Sequence, residues 1–174
     1  MPRRTSTCTV AVAIAFGLVW SGSASAAPSR ATASCGAAQT LATLVCHVNA
    51  VRAQHGLRRV SGVAILSRSS SIRARTIVRC GDFSHTPCGQ SFGAPFSAVG
   101  YTRGSYAVGE TLAWTSGGGM APANAVARWM ASPPHRRVLL SRGWRELGAA
   151  AITAPGLFGQ STATLWVAQF GRRG

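Results

Sequence analysis

Residues at helical spacing fill the first half of this chain, and strand-like runs are concentrated towards its end; that order limits the folds open to it. Leu41, Leu44, Val45, Val48 and Val51 recur at three- and four-residue intervals within 39–55, and Gly56 stops that helix. A second helical stretch covers 64–78, its pattern crowded by Arg73, Arg75 and Arg79. Residues 80–104 are rich in Gly, Pro and Ser and read as loop with one short helical turn. Then come a strand over 106–114, a triple-glycine connection at 117–119, and a helix opened by Pro122 with Val126, Trp129 and Met130 on one face. Runs 147–152 and 164–170 read as two final strands around a Pro-Gly loop. Helices first and strands late, with no internal repeat, argue against a parallel βαβ architecture and for an α+β domain.

The chain opens with Arg3 and Arg4, an apolar run from Thr9 to Trp20, and Ala24-Ser25-Ala26. That is the pattern of a secretory signal peptide, residues 1–26, cleaved after Ala26. The apolar run is too short for an ordinary transmembrane helix and no later one is longer, so the expectation is an exported protein without a transmembrane anchor. Residues 27–37 read as a flexible arm and 38–174 as one domain. A domain of this size buries about 70% of its unfolded surface, so disulfides reinforce its core rather than replace it.

Four cysteines follow the leader: Cys35, Cys46, Cys80 and Cys88. An even count in an exported chain points to two bridges, for which three connectivities exist. The preferred one is local, Cys35 with Cys46 and Cys80 with Cys88. No C-x-x-C pair supports a cysteine zinc site.

The formal charge is +15 and every basic side chain is arginine. GC-rich coding contributes to such a bias, but the surface attracts anionic polymers and membranes whatever its origin, in a salt-dependent way. An exported chain without an aromatic-basic motif is a poor partner for nucleic acid. Cell-envelope polyanions are better ones.

Only three acids exist, Asp82, Glu110 and Glu146. Asp82 is expected to be neutralised by an arginine. Glu110, amid Val108, Leu112 and Trp114, reads as partly buried and needs hydrogen-bond partners or a cation, for which a histidine would serve. One histidine is set up distinctively. Pro133 and Pro134 cannot continue the helix before them but suit the first turn of a new one, with Ser132 as its cap, and His135 falls in that turn. The positive end of the helix disfavours a second positive charge there, so the imidazole should stay neutral.

Four motifs in one order, F-S-H-T at 83–86, G-E-T-L-A at 109–113, W-M-A-S-P-P-H-R at 129–136 and R-E-L-G at 145–148, preceded by N-A-V-R-A-Q-H-G-L at 49–57, resemble the bacterial branch of the CAP superfamily of SCP-like extracellular proteins. The resemblance covers almost all of 35–171. It implies a three-layer α-β-α sandwich, a small antiparallel sheet between helices, and a cavity lined by two histidines and acids that binds zinc or another divalent cation in several members. Carried over, the cavity residues are His85, Glu110 and His135, the three implied metal ligands, with Glu146 as a fourth lining residue. The departures are as informative. No acid follows Trp129, where eukaryotic members carry the second cavity glutamate, Thr111 replaces an asparagine, and Pro134 replaces a glycine. Arg73, Ala74, Arg75 and Thr76 replace the His-Ser-acidic run usual in the second helix.

The function so implied is a secreted, monomeric, non-catalytic module binding a lipid, a sterol-like molecule or an anionic envelope polymer. One alternative is a metal-dependent hydrolase using the cavity, and another a basic antimicrobial or polyanion-binding protein acting through charge. Ser84 adjoins His85 without a Ser/His/Asp order, and no H-E-x-x-H helix occurs.

Overall fold

A computed structural model of the chain describes residues 34–174. The expected leader, 1–26, and residues 27–33 of the expected arm lie outside the described residues. In chain order the elements are α1 (Leu41–Gln54), β1 (Ser61–Gly62), α2 (Ala64–Cys80), α3 (Ala94–Ala98), β2 (Tyr106–Ser116), α4 (Pro122–Ala131), α5 (Pro133–Leu139), β3 (Glu146–Pro155) and β4 (Thr162–Arg173). The strands form one sheet in the order β1-β3-β4-β2.

Strand alternation sorts the side chains into two cores. From one face Leu147, Trp166, Ala168 and Phe170 meet Leu44 and Val48 of α1, Val126 and Trp129 of α4, and Leu139 of α5. From the other, Leu112, Leu165 and Val167 meet Ala74 and Ile77 of α2. Phe96 of α3 packs with Leu66 of α2 beside this second core. The result is the expected α-β-α sandwich, with α2 and α3 on one side and α1, α4 and α5 on the other.

The sheet departs from expectation at one edge, where β1 pairs with β3 in parallel, Ser61 opposite Glu146. Two residues carry no periodicity, so nothing in the sequence announced β1. Strands β3 and β4 also run longer than their apolar runs, because the ladder continues past Ile152 and before Thr164, through Ala154 opposite Ala163 to Pro155 opposite Thr162. Ser132 stands at the start of α5, yet its side chain makes no capping hydrogen bond, contrary to expectation. The cap is made elsewhere. Thr40 closes the start of α1 in a reciprocal box with Thr43.

The motif on α1 has a mechanical role. Asn49 donates from Nδ2 to the Val60 carbonyl at 2.9 Å and accepts from the Val60 N–H at 2.8 Å, pinning the chain that leads into β1. Arg52, fully buried, donates to the carbonyls of Arg58, Leu139 and Ser141, so one guanidinium ties α1 to the end of α5. Burial, and then the charge of Arg145, hold its pKa below the usual arginine value. The two bridges are the local ones, Cys35–Cys46 and Cys80–Cys88. The second closes the loop that carries residues 82–85.

Candidate functional site

Strand β2 is an edge of the sheet, so residues from both helical layers approach each other over it. Glu110 projects from β2 on the α2 side and is buried. Three donors engage both of its oxygens. Arg73 of α2 donates from Nε to Oε2 at 3.3 Å, Gln169, directly opposite on β4, donates to Oε2 at 2.7 Å, and His85 Nδ1 lies 2.8 Å from Oε1. A carboxylate only accepts, so the His85 hydrogen sits on Nδ1. The ring, partly exposed, leaves Nε2 as its second nitrogen. Arg73 is itself fully buried, and its remaining donors reach Gln90 Oε1 and the carbonyls of Ser91 and Phe92. One guanidinium therefore joins α2, the following loop and β2.

Glu110 was expected to need hydrogen-bond partners or a cation, for which a histidine would serve, and the structure supplies both a histidine and a guanidinium. Arg73 was legible as a break in the helix pattern and a departure from the family's second-helix run, but not as a buried residue, because nothing local distinguishes a buried arginine from a solvated one. Gln169 likewise carried no signal, being one polar residue in an apolar strand. Asp82, expected to be neutralised by an arginine, has no ion-pair partner among the described residues.

His135 approaches from the other layer, in the first turn of α5, partly buried. Burial, and second the proximity of His85, hold its pKa below the usual 6.5. The direction is the one expected; the causes are desolvation and a second imidazole. A histidine depressed in this way favours the fold above pH 6.5, and that contribution is lost as pH falls from there through its folded value. In a His85→Gln variant the His135 midpoint, followed by NMR of its C2 proton, is expected to rise towards 6.5 and stop short of it, since burial is the larger cause. An unchanged midpoint would mean that the two rings do not share a field.

Glu146 belongs to a second cluster. It accepts from the Tyr101 hydroxyl and from Nε and Nη2 of Arg173, at 3.3 and 2.7 Å, while the Arg173 guanidinium lies 5.0 Å from the Tyr101 ring centre. Burial works to raise its pKa, but these hydrogen bonds outweigh it and hold the group below the usual carboxylate value. Burial and then Glu146 raise that of Tyr101. No hydrogen bond joins Glu146 to His85, Glu110 or His135. Its cluster ties the start of β3 to the end of β4.

The donor set fits a resident divalent cation poorly. Zinc sites draw on three or four protein ligands. Among the described residues no three His, Cys, Asp or Glu side chains are grouped to share an ion. Both Glu110 oxygens are engaged, and the charge opposite them is the fixed guanidinium of Arg73. Two imidazoles remain, which is one ligand short.

Beside His135 lies a cavity of about 280 Å³ along β2, lined by Phe83, Leu112, Trp114, Arg128 and Ser132 among others.

No helix among the described residues is long and apolar enough to cross a membrane. No curated protein matches the chain in sequence. Three bacterial structures share its fold. An outer surface protein of Borrelia burgdorferi is 19% identical with a TM-score of 0.61, over 75% of this chain and 90% of that one. An extracellular protein containing an SCP domain from Bacillus anthracis is 17% identical with a TM-score of 0.60, over 75% of this chain. A cysteine-rich secretory protein of Staphylococcus aureus is 16% identical with a TM-score of 0.53, over 76%. The chain spans only 39% and 38% of the latter two. The profile of the cysteine-rich secretory protein family matches residues 45–170, nearly the whole described domain, and the chain belongs to that family, the CAP superfamily.

Proposed function

We propose that this protein is a secreted, non-catalytic binding module whose ligand is an anionic lipid or envelope polymer. The observation that carries the reading is its uncompensated charge: among the described residues only Arg73 and Arg173 of the many arginines are ion-paired with a carboxylate. Part of that charge borders a groove of about 870 Å³ along α2, where the exposed Arg68 and Arg75 flank Leu41, Ile72 and Val99. Guanidinium groups beside aliphatic surface suit an anionic headgroup with an acyl chain. Two disulfides accord with an oxidising compartment outside the cytosol.

The hydrolase reading is weaker. Glu110, the acid a hydrolase would use as general base, has both oxygens engaged by three donors and faces a permanent cation. Its role in this reading is to hold His85 and α2 in place.

Sedimentation with vesicles tests the proposal. Binding to phosphatidylglycerol-containing vesicles is expected to exceed binding to phosphatidylcholine alone and to fall steeply between low and physiological salt. Equal binding to both, or affinity indifferent to salt, would reject it. Release of an entrapped dye at the same protein concentrations would favour the antimicrobial alternative, which uses the same charge.

A further inference from the structure

The cavity beside His135 combines groups that the hydrogen-bonded cluster leaves idle. Arg128 lies on its rim, exposed and, among the described residues, without a carboxylate partner; its one polar contact there is a long hydrogen bond, 3.4 Å, from Nη2 to the Thr115 hydroxyl. Ser132, which does not cap α5, and His135 complete the polar side, and neither side chain has a hydrogen-bond partner among the described residues. The opposite side is apolar and built on rigid parts. Leu112 and Trp114 project from β2, and Phe83 is one of only two large hydrophobic side chains exposed among the described residues. Phe158 supports this wall, its ring centre 4.9 Å from that of Trp114 and 5.6 Å from that of Phe83.

We propose that this cavity is a binding site for a small organic carboxylate with an apolar body, its charged end held by Arg128, Ser132 and His135 and its body laid against Phe83, Leu112 and Trp114. Charge and size set the class. A guanidinium matches a carboxylate with two parallel hydrogen bonds, and a hydroxyl and a neutral imidazole complete its coordination. A cation meets Arg128 with no acid on the cavity's lining to offset it. At about 280 Å³ the space lies just below the range of ordinary ligand pockets, so it admits a molecule of roughly 10–15 non-hydrogen atoms rather than a diacyl lipid.

The site is separate from the α2 groove, so this proposal stands or falls without the vesicle result. The probes are phenylacetate, 2-phenylethanol and 2-phenylethylamine, which share a body and differ in charge. Each is titrated at physiological salt into the disulfide-bonded protein and followed by 1H–15N NMR. Phenylacetate is expected to give saturable shifts in the Trp114 and Ser132 signals, with affinity at least about tenfold above the alcohol and no saturable binding of the amine. Arg128→Gln, a surface change that leaves the fold intact, is expected to weaken phenylacetate about tenfold or more, whereas Arg75→Gln in the other groove leaves it unchanged. No binding of phenylacetate, equal binding of alcohol or amine, or affinity indifferent to Arg128→Gln would overturn the proposal.

Discussion

Replacing Arg73 with alanine is expected to cost about 3–5 kcal/mol of folding stability, the loss that follows when one member of a buried ion pair is removed and the other remains. Both side chains of the Arg73–Glu110 pair are fully buried, so water cannot take the missing partner's place. The same change frees Gln90 Oε1 and the carbonyls of Ser91 and Phe92. Against a typical total stability of about 5–15 kcal/mol, this is a large fraction. Urea denaturation of Arg73→Ala, Glu110→Gln and Arg73→Met/Glu110→Gln separates charge from packing. The double variant should be more stable than Arg73→Ala, because it leaves no buried charge unpaired. A single variant within about 1 kcal/mol of wild type would mean that the pair is not held as described.

A comparable loss is expected from adding a single methyl group at Gly148. A Cβ there would stand 2.1 Å from the Leu66 carbonyl carbon and 2.3 Å from the Ser67 nitrogen. These are backbone atoms of α2, which cannot turn aside as a side chain does. The helix must lift from the sheet, opening the contact between α2 and β3 and stretching the bond from the Ala149 N–H to the Ser67 hydroxyl. Overpacking costs about 1–3 kcal/mol in ordinary cores, and a backbone clash belongs at or above the top of that range. Gly118→Ala is the control, since a Cβ there meets nothing within 4 Å. A Gly148→Ala midpoint equal to that of the control would show that α2 does not seat on β3 at this point.

How far the sequence reached differs from residue to residue. The spacing of Leu44 and Val48 placed α1 because an amphipathic helix writes its buried face every three to four positions. The adjacent prolines placed the start of α5 because proline cannot continue a helix but can begin one. The local bridges were the preferred pairing because eight and eleven residues bring cysteines together without help from the fold. Glu110 was marked as needing a partner because a carboxylate among apolar neighbours on a strand must find one.

The rest was decided by contacts between segments distant in the chain. Glu146 followed the same kind of motif as Glu110, but the register of β3 with β4 set it opposite Gly171, within reach of Tyr101 and Arg173 instead of the histidines. Gln169 faces Glu110 only because β4 pairs with β2 in this register. The character of Arg73 was the least legible of all. An arginine in a helix is ordinarily a solvated residue, and whether its guanidinium meets water or a carboxylate 37 positions away depends on how the helix sits on the sheet. Local patterns therefore determined the helices and the three long strands, and where the titratable groups lie along them, but not the two-residue β1. Packing alone decided which of those groups meet, because hydrogen bonds and ion pairs act over a few ångströms in space and have no regard for separation in sequence.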